Sequence, residues 1–174
     1  MAKDFKIEID RKVLEGLEKR LQDLNQKEIQ YGYFDKTYEA PDRRAGIPVA
    51  EIAYKNEIGF ITESGRHVPP RPFFTFSVKK AEQIVKWFAA DIYKLTFIGK
   101  REKTLVTIGK WLKEGVQQSI DEAESNGFPP LSQYTINHKG SDKQLRETDT
   151  LYDSVEAKIV NTDAYGNRKK EVNI

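Results

Sequence analysis

The side chains that carry covalent or metal chemistry are scarce in this chain and poorly placed for it. There are two histidines, His67 and His138, and no cysteine, which excludes thiolate nucleophiles, disulfides and cysteine zinc sites. The histidines stand far apart, and their surroundings predict neither a zinc site nor, for His67 beside a run of prolines, a general base. Nucleophilic catalysis has no G-x-S-x-G turn to work from, since Ser64-Gly65 reads as a surface turn. Gly46, Gly59 and Gly65 do not form a phosphate loop, and a turn or helix end accounts for each. Glu57, Asp91, Asp121, Glu122 and Glu124 fall on the charged sides of predicted helices, where solvation explains them better than acid–base work. The residues therefore predict no enzyme, no cofactor and no metal.

What stands out instead is His67-Val68-Pro69-Pro70-Arg71-Pro72-Phe73-Phe74. Each proline holds φ near about −65° and lacks a backbone N–H, so this run must be extended and stiff, neither helix interior nor central strand. It carries one charge, Arg71, with two aromatics directly behind it that seek an apolar surface. Two readings of Arg71 are open: it pairs with a carboxylate, Glu57 being nearest in sequence, or it pins the run with Phe73 onto its own subunit's core. A second proline-stiffened loop, Phe128-Pro129-Pro130-Leu131, lies further on.

The elements that must hold these loops follow from composition and periodicity. A length of 174 residues allows one domain with a real core, and 38% hydrophobic against 32% charged residues describe a folded, well-solvated protein. The net charge of +2 is too small for a general nucleic-acid footprint. Residues Met1 to Lys6 have no apolar core, which predicts no signal peptide, and no run of about 18 apolar residues predicts a membrane span.

Phe5, Ile7 and Ile9 alternate as a strand, and Leu14, Leu17, Leu21 and Leu24 stripe an N-terminal helix. Ile29, Tyr31 and Tyr33 alternate as a second strand in which Gly32 marks a bulge or a close backbone approach. Residues 35–47 have no periodicity and read as a long exposed loop. Pro48 and Gly59 bracket a short helix, Phe60 to Arg66 turn, and two long amphipathic helices follow, marked by Ala81 to Leu95 and by Leu105 to Ile120 with a break at Gly99.

Tyr134, Ile136 and His138 alternate as a short strand. Residues from Leu151 to Val160 pass from a helical turn into a strand, Ala164-Tyr165-Gly166-Asn167 reads as a hairpin turn, and Lys170 to Ile174 form an edge strand. The expectation is a single α+β domain over residues 1–174, in which a small, mostly antiparallel sheet packs against two long helices and an N-terminal helix.

In order and spacing, Val49-Ala50-Glu51-Ile52-Ala53-Tyr54-Lys55-Asn56-Glu57-Ile58-Gly59, Pro70-Arg71-Pro72-Phe73, Phe128-Pro129-Pro130-Leu131 through Thr135, and Leu145 through Val155 resemble the virion-morphogenesis proteins of tailed bacteriophages, the tail-completion or neck family. Members typically read A-x-Y-N-E-F-G, R-P-F, W-x-P-L-x-x-x-T and L-x-D-T-G-x-L-x-x-S-I. Ile58 stands here for the Phe, Phe128 for the Trp and Asp149 for the Gly. In the last case Asp149 would have to hold the turn with its side chain.

The resemblance implies a non-enzymatic structural protein that completes the tail or joins head and tail. It also implies a homo-oligomeric, hexameric ring in contact with neighbouring neck and tail proteins, located in the virion and, during assembly, in the host cytoplasm. Head-to-tail rings use heterologous contacts, and the stiff loops make Glu57, Gly59, Pro70, Arg71, Pro72, Phe73, Phe128, Pro130 and Leu131 the candidate interface. The competing reading is a DNA-binding module using Arg43-Arg44, Lys79-Lys80, Lys100-Arg101-Lys103 and Arg168-Lys169-Lys170. The two overlap if DNA passes through a channel that such side chains line.

Overall fold

The computed structural model describes residues 11–98, 101–162 and 168–173. The expected strand of Phe5, Ile7 and Ile9, the break at Gly99 and the turn at 164–167 lie outside them. The architecture is α+β. Among the described residues the order is α1 (Arg11–Asn25), β1 (Lys27–Gly32), α2 (Val49–Ile58), β2 (Phe60–Ile61), β3 (His67–Val68), α3 (Phe73–Phe97), α4 (Arg101–Asp121), α5 (Gln133–Lys139), α6 (Thr150–Asp153), β4 (Glu156–Thr162) and β5 (Arg168–Asn173). No helix among them is long and apolar enough to cross a membrane.

An antiparallel sheet of order β1-β4-β5 forms one layer, with Ile29 opposite Ile159 and Tyr31 opposite Ala157. The second layer is the α3–α4 pair, packed together and against the sheet, with α4 meeting both β1 and β4. That position explains why Leu105, Ile108, Leu112, Val116 and Ile120, one helical stripe, are all buried. The predicted face of Val155, just before β4, and of Ala157 and Ile159 within it is buried, and so are Lys158 and Val160 of the opposite face, as befits a central strand. Lys158 lies with its ammonium 4.2 Å from the centre of the Phe34 ring.

Gly32 is not a bulge, since it stays in register with Glu156; its φ of 141° favours glycine, while a Cβ there would make only ordinary contact with the Phe74 ring at 3.5 Å. The stripe of α1 is less buried than its periodicity suggests, because Leu14 remains 47% exposed while Leu17 and Leu21 are half-buried. Leu24's side chain is outside the description.

Two sequence expectations are corrected and one is extended. Tyr134, Ile136 and His138 belong to α5, not to a strand: the Ser132 hydroxyl accepts from the Thr135 N–H at 3.2 Å, and left-handed Gly140 closes the helix by donating to the Ile136 carbonyl at 2.8 Å. Residues Phe60 to Arg66 do turn, Gly65 donating to the Thr62 carbonyl at 2.8 Å, and the turn also closes a β-hairpin with Phe60 opposite Val68 and Ile61 opposite His67.

The third concerns residues 35–47, which are not simply an exposed loop. Tyr38 is 2% exposed, its N–H donates to the Ile47 carbonyl at 3.0 Å, and its carbonyl accepts from Gly46 at 2.8 Å. The Ala40–Pro41 peptide within this segment is cis. A buried aromatic and its own backbone ladder pin the loop, which hydropathy periodicity does not register.

Candidate functional site

Glycine and proline chemistry place the proline run. Helix α2 ends at Gly59, whose φ of 75° lets the chain reverse into the hairpin. The same glycine admits the returning strand, because a Cβ there would meet the Pro70 nitrogen and the Val68 carbonyl oxygen, each at 2.8 Å. Both obstacles are backbone atoms, so Gly59→Ala is expected to destabilise the protein by about 1–3 kcal/mol, from left-handed strain plus displacement of the run. A denaturation midpoint equal to wild type would refute this.

Glu57 does not meet Arg71. Its carboxylate reaches the start of α3 instead, accepting from the Phe74 N–H at 2.9 Å, the Thr75 N–H at 2.9 Å and the Thr75 hydroxyl at 2.6 Å. The first turn of a helix has free N–H groups and a positive dipole end, and Pro72 immediately before α3 has no capping side chain. A carboxylate from α2 therefore serves as the cap in trans. Glu57→Gln keeps one acceptor oxygen but loses the charge and one N–H acceptor, at an expected cost of about 1–2 kcal/mol. Urea titrations of the two proteins measure it, and Glu57→Asp should be no better, since it is too short to bridge both N–H groups.

Arg71 is 5% exposed and faces its own subunit. Its Nε donates to Gln144 Oε1 at 2.7 Å, and its Nη2 and Nη1 donate to the carbonyls of Pro129 at 3.2 Å and Pro69 at 3.5 Å. Its own N–H donates to the Asn56 carbonyl at 2.7 Å. The pinning reading describes this geometry, and the pairing with Glu57 is absent from it. Burial pushes the Arg71 pKa down.

Phe73 is completely buried, packed edge-on against Tyr33 at 6.3 Å between ring centres, and Phe74 stacks on Tyr31 at 5.5 Å. Phe128 is also buried, against Phe76 at 5.6 Å. Of the nine candidate interface residues, Arg71, Phe73 and Phe128 are thus core groups of one subunit, and Glu57 is a helix cap. Gly59 is filled by its neighbours, Pro72 and Leu131 are half-buried, and Pro70 and Pro130 are exposed.

These segments enclose a cleft of about 380 Å³. The hairpin and proline run form one wall, Pro130, Leu131 and α5 another, and residues 145–151 with Arg43 and Arg44 a third. The third wall is an ion-pair network that sequence reasoning missed. Asp42 accepts from Arg44 Nε at 2.8 Å, from Arg44 Nη2 at 2.6 Å and from the Thr148 hydroxyl at 3.1 Å; Arg44 also lies 3.4 Å from Glu147 and 4.2 Å over the Tyr38 ring.

Arg146 bridges Asp149 and Asp121, both at 2.7 Å. Asp149 does adopt the left-handed conformation that a glycine would, with φ 55°, but its side chain caps nothing and takes Arg146 instead. The signal was present in the cluster of charges at Arg146, Glu147 and Asp149, though nothing local tied it to Arg43-Arg44.

The Arg44 hydrogen bonds hold the Asp42 carboxyl well below the usual carboxylate range. A depressed folded-state pKa adds stability that is complete above the unfolded value of about 4 and is lost as pH falls through the folded one. Asp42→Asn should therefore be less stable than wild type at pH 7, with the gap narrowing below about pH 4. Unfolding free energies at neutral and acid pH test this, and a pH-independent gap would refute it.

The basic clusters are partly engaged within the chain. Arg43 and Arg44 meet Glu147, Lys80 meets Glu122 at 2.7 Å, and Lys79 sits 5.2 Å from the Phe76 ring centre. Lys100 and the side chains of Arg101 and 168–170 lie outside the description. His67 and His138 are exposed on separate elements, β3 and α5, and Gly140 ends α5 between His138 and Asp142. Among the described residues no group of three or more His, Asp or Glu is placed to hold a metal ion. No family model, curated protein or solved structure matches the chain.

Proposed function

We propose that this chain is a structural bacteriophage virion protein that completes the tail or joins head and tail at the neck, acting by ring assembly and protein–protein docking. The observation that carries the reading is the convergence of its four motif stretches, distant in sequence, on one rigid cleft. Asn56 and Glu57 hold the proline run and α3, Arg71 reaches Pro129 and Gln144, and Phe73, Phe128, Leu151 and Val155 share one core cluster. Motif residues that mostly build one another's positions make a preorganised body, which loses little freedom on docking.

The outer side of the helical layer supplies further docking surface, with Trp87 72% and Tyr93 60% exposed on α3. Engagement of Arg43, Arg44 and Lys80 by carboxylates favours this reading over a DNA-binding module. Native mass spectrometry of the purified protein, alone and with the adjacent neck and tail proteins, tests it. A defined ring, six-membered in the virion, is the expected result. A persistent monomer that binds duplex DNA in a salt-sensitive manner would overturn it.

A further inference from the structure

Among the described residues, the cleft holds a guanidinium that meets no carboxylate. Arg43, Arg44 and Arg146 each meet a carboxylate, whereas Arg71, deeper in the same cleft, meets only the neutral oxygens of Gln144, Pro129 and Pro69. A guanidinium has five N–H donors, and those three bonds leave one on each Nη without a partner. Lys139 stands in the opposite wall, its Nζ donating to the Lys143 carbonyl; burial lowers its pKa, the charges of Glu147 and Asp149 oppose that, and the charge of Arg71 adds to it. Arg66 lies at the mouth, 4.9 Å over the ring of Tyr134. Around these charges the walls are apolar: Ile52, Phe60, Val68, Pro130 and Leu131.

We propose that the cleft receives a carboxylate side chain, flanked by apolar residues, from an acidic segment of a partner protein, with Arg71 as its counter-ion and Lys139 as a second cation. This rests on the docking reading above and names the chemistry of the docked element. A carboxylate is planar and bidentate, which suits the two free Nη donors. Its apolar neighbours would pack on the proline walls. A nucleic-acid backbone fits less well, because a row of phosphates must pass Glu147 and Asp149 in the same lining, whereas a single carboxylate at Arg71 leaves those two to Arg44 and Arg146, with which they already pair. A buried charge that lacks a partner in the free protein and gains one on docking also makes recognition selective, since an uncharged side chain would leave it unpaired.

The test is a nitrogen-15 NMR titration of the full chain with N-acetyl-Leu-Glu-Leu-amide, its Gln counterpart and octathymidylate. The Glu peptide is expected to shift the amides of Arg71, Leu131 and Gln144 and the Arg71 Nε–H, with an affinity about ten-fold above the Gln peptide. Lys139→Gln should weaken the Glu peptide several-fold while leaving the spectrum folded, and it serves where Arg71 variants do not fold. Equal binding of the Glu and Gln peptides, shifts confined to other surfaces, absence of shifts at millimolar peptide, or tighter binding of octathymidylate at the same amides would each overturn the proposal. Rings that form although the peptide does not bind remove the cleft inference alone; peptide binding without rings or neck-protein complexes removes the assembly reading alone.

Discussion

Arg71→Ala is expected to lower the unfolding free energy by about 2–4 kcal/mol. The guanidinium joins the proline run to the Phe128–Leu131 loop and to Gln144, so its removal leaves the Gln144 amide oxygen and the Pro129 carbonyl without their donor. Each buried acceptor left unsatisfied costs about 1–3 kcal/mol. Relief from burying a charge offsets part of that, which keeps the total below the simple sum. Arg71→Met separates the two contributions: it fills most of the volume and carries no charge, and it should be milder than Ala. Urea-induced unfolding of the three proteins measures this. An Arg71→Ala variant as stable as wild type would mean that the two proline loops are held apart from this contact, with Arg71 free to serve a neighbouring subunit instead.

Phe73→Ala should cost more, about 3–5 kcal/mol. The ring is wholly buried at the first residue of α3, against Tyr33 and within the cluster that includes Val49, Val116, Ile120 and Phe128. Its neighbours come from separate elements, and Arg71 and Pro72 restrain the backbone just before it, so the site cannot collapse to fill the cavity. Phe73→Leu retains most of the apolar volume and should lose substantially less. Thermal or denaturant unfolding decides the matter, and a loss under about 1 kcal/mol for the alanine variant would be incompatible with a ring buried in a close-packed core.

Much of the scaffold was legible wherever local chemistry and long periodicity agreed. Pro48 and Gly59 bracket α2 as helix-end preferences require, and sustained apolar spacing located α3 and α4. The start of α3 was harder: its stripe was evident from Ala81, but the helix begins at Phe73 because Glu57 caps it from another element. Helix α5 was misread because three alternating residues cannot distinguish a period of 2 from one of 3.6. Ser132 and Gly140, the residues that decide it, lie outside the alternating set. The loop at 35–47 looked solvent-exposed because its anchors are single residues, Tyr38 and Asp42, whose partners include residues far along the chain.

The cleft divides in the same way. By itself the sequence determined that the proline run would be stiff and extended, that two aromatics would follow the charge, and that Gly59 would allow a reversal; the extended reading overran at Phe73 and Phe74, which begin α3. These consequences depend only on φ restrictions, missing N–H donors and side-chain hydrophobicity, all of which act within a few residues. Only the tertiary structure decided that Glu57 caps α3, that Arg71 points at Gln144 and Pro129, and that Arg44 locks onto Asp42 and Glu147. A side chain's charge is written in the sequence, but its partner is whichever opposite group the packed backbone brings within about 3 Å, and that distance is a property of the whole fold.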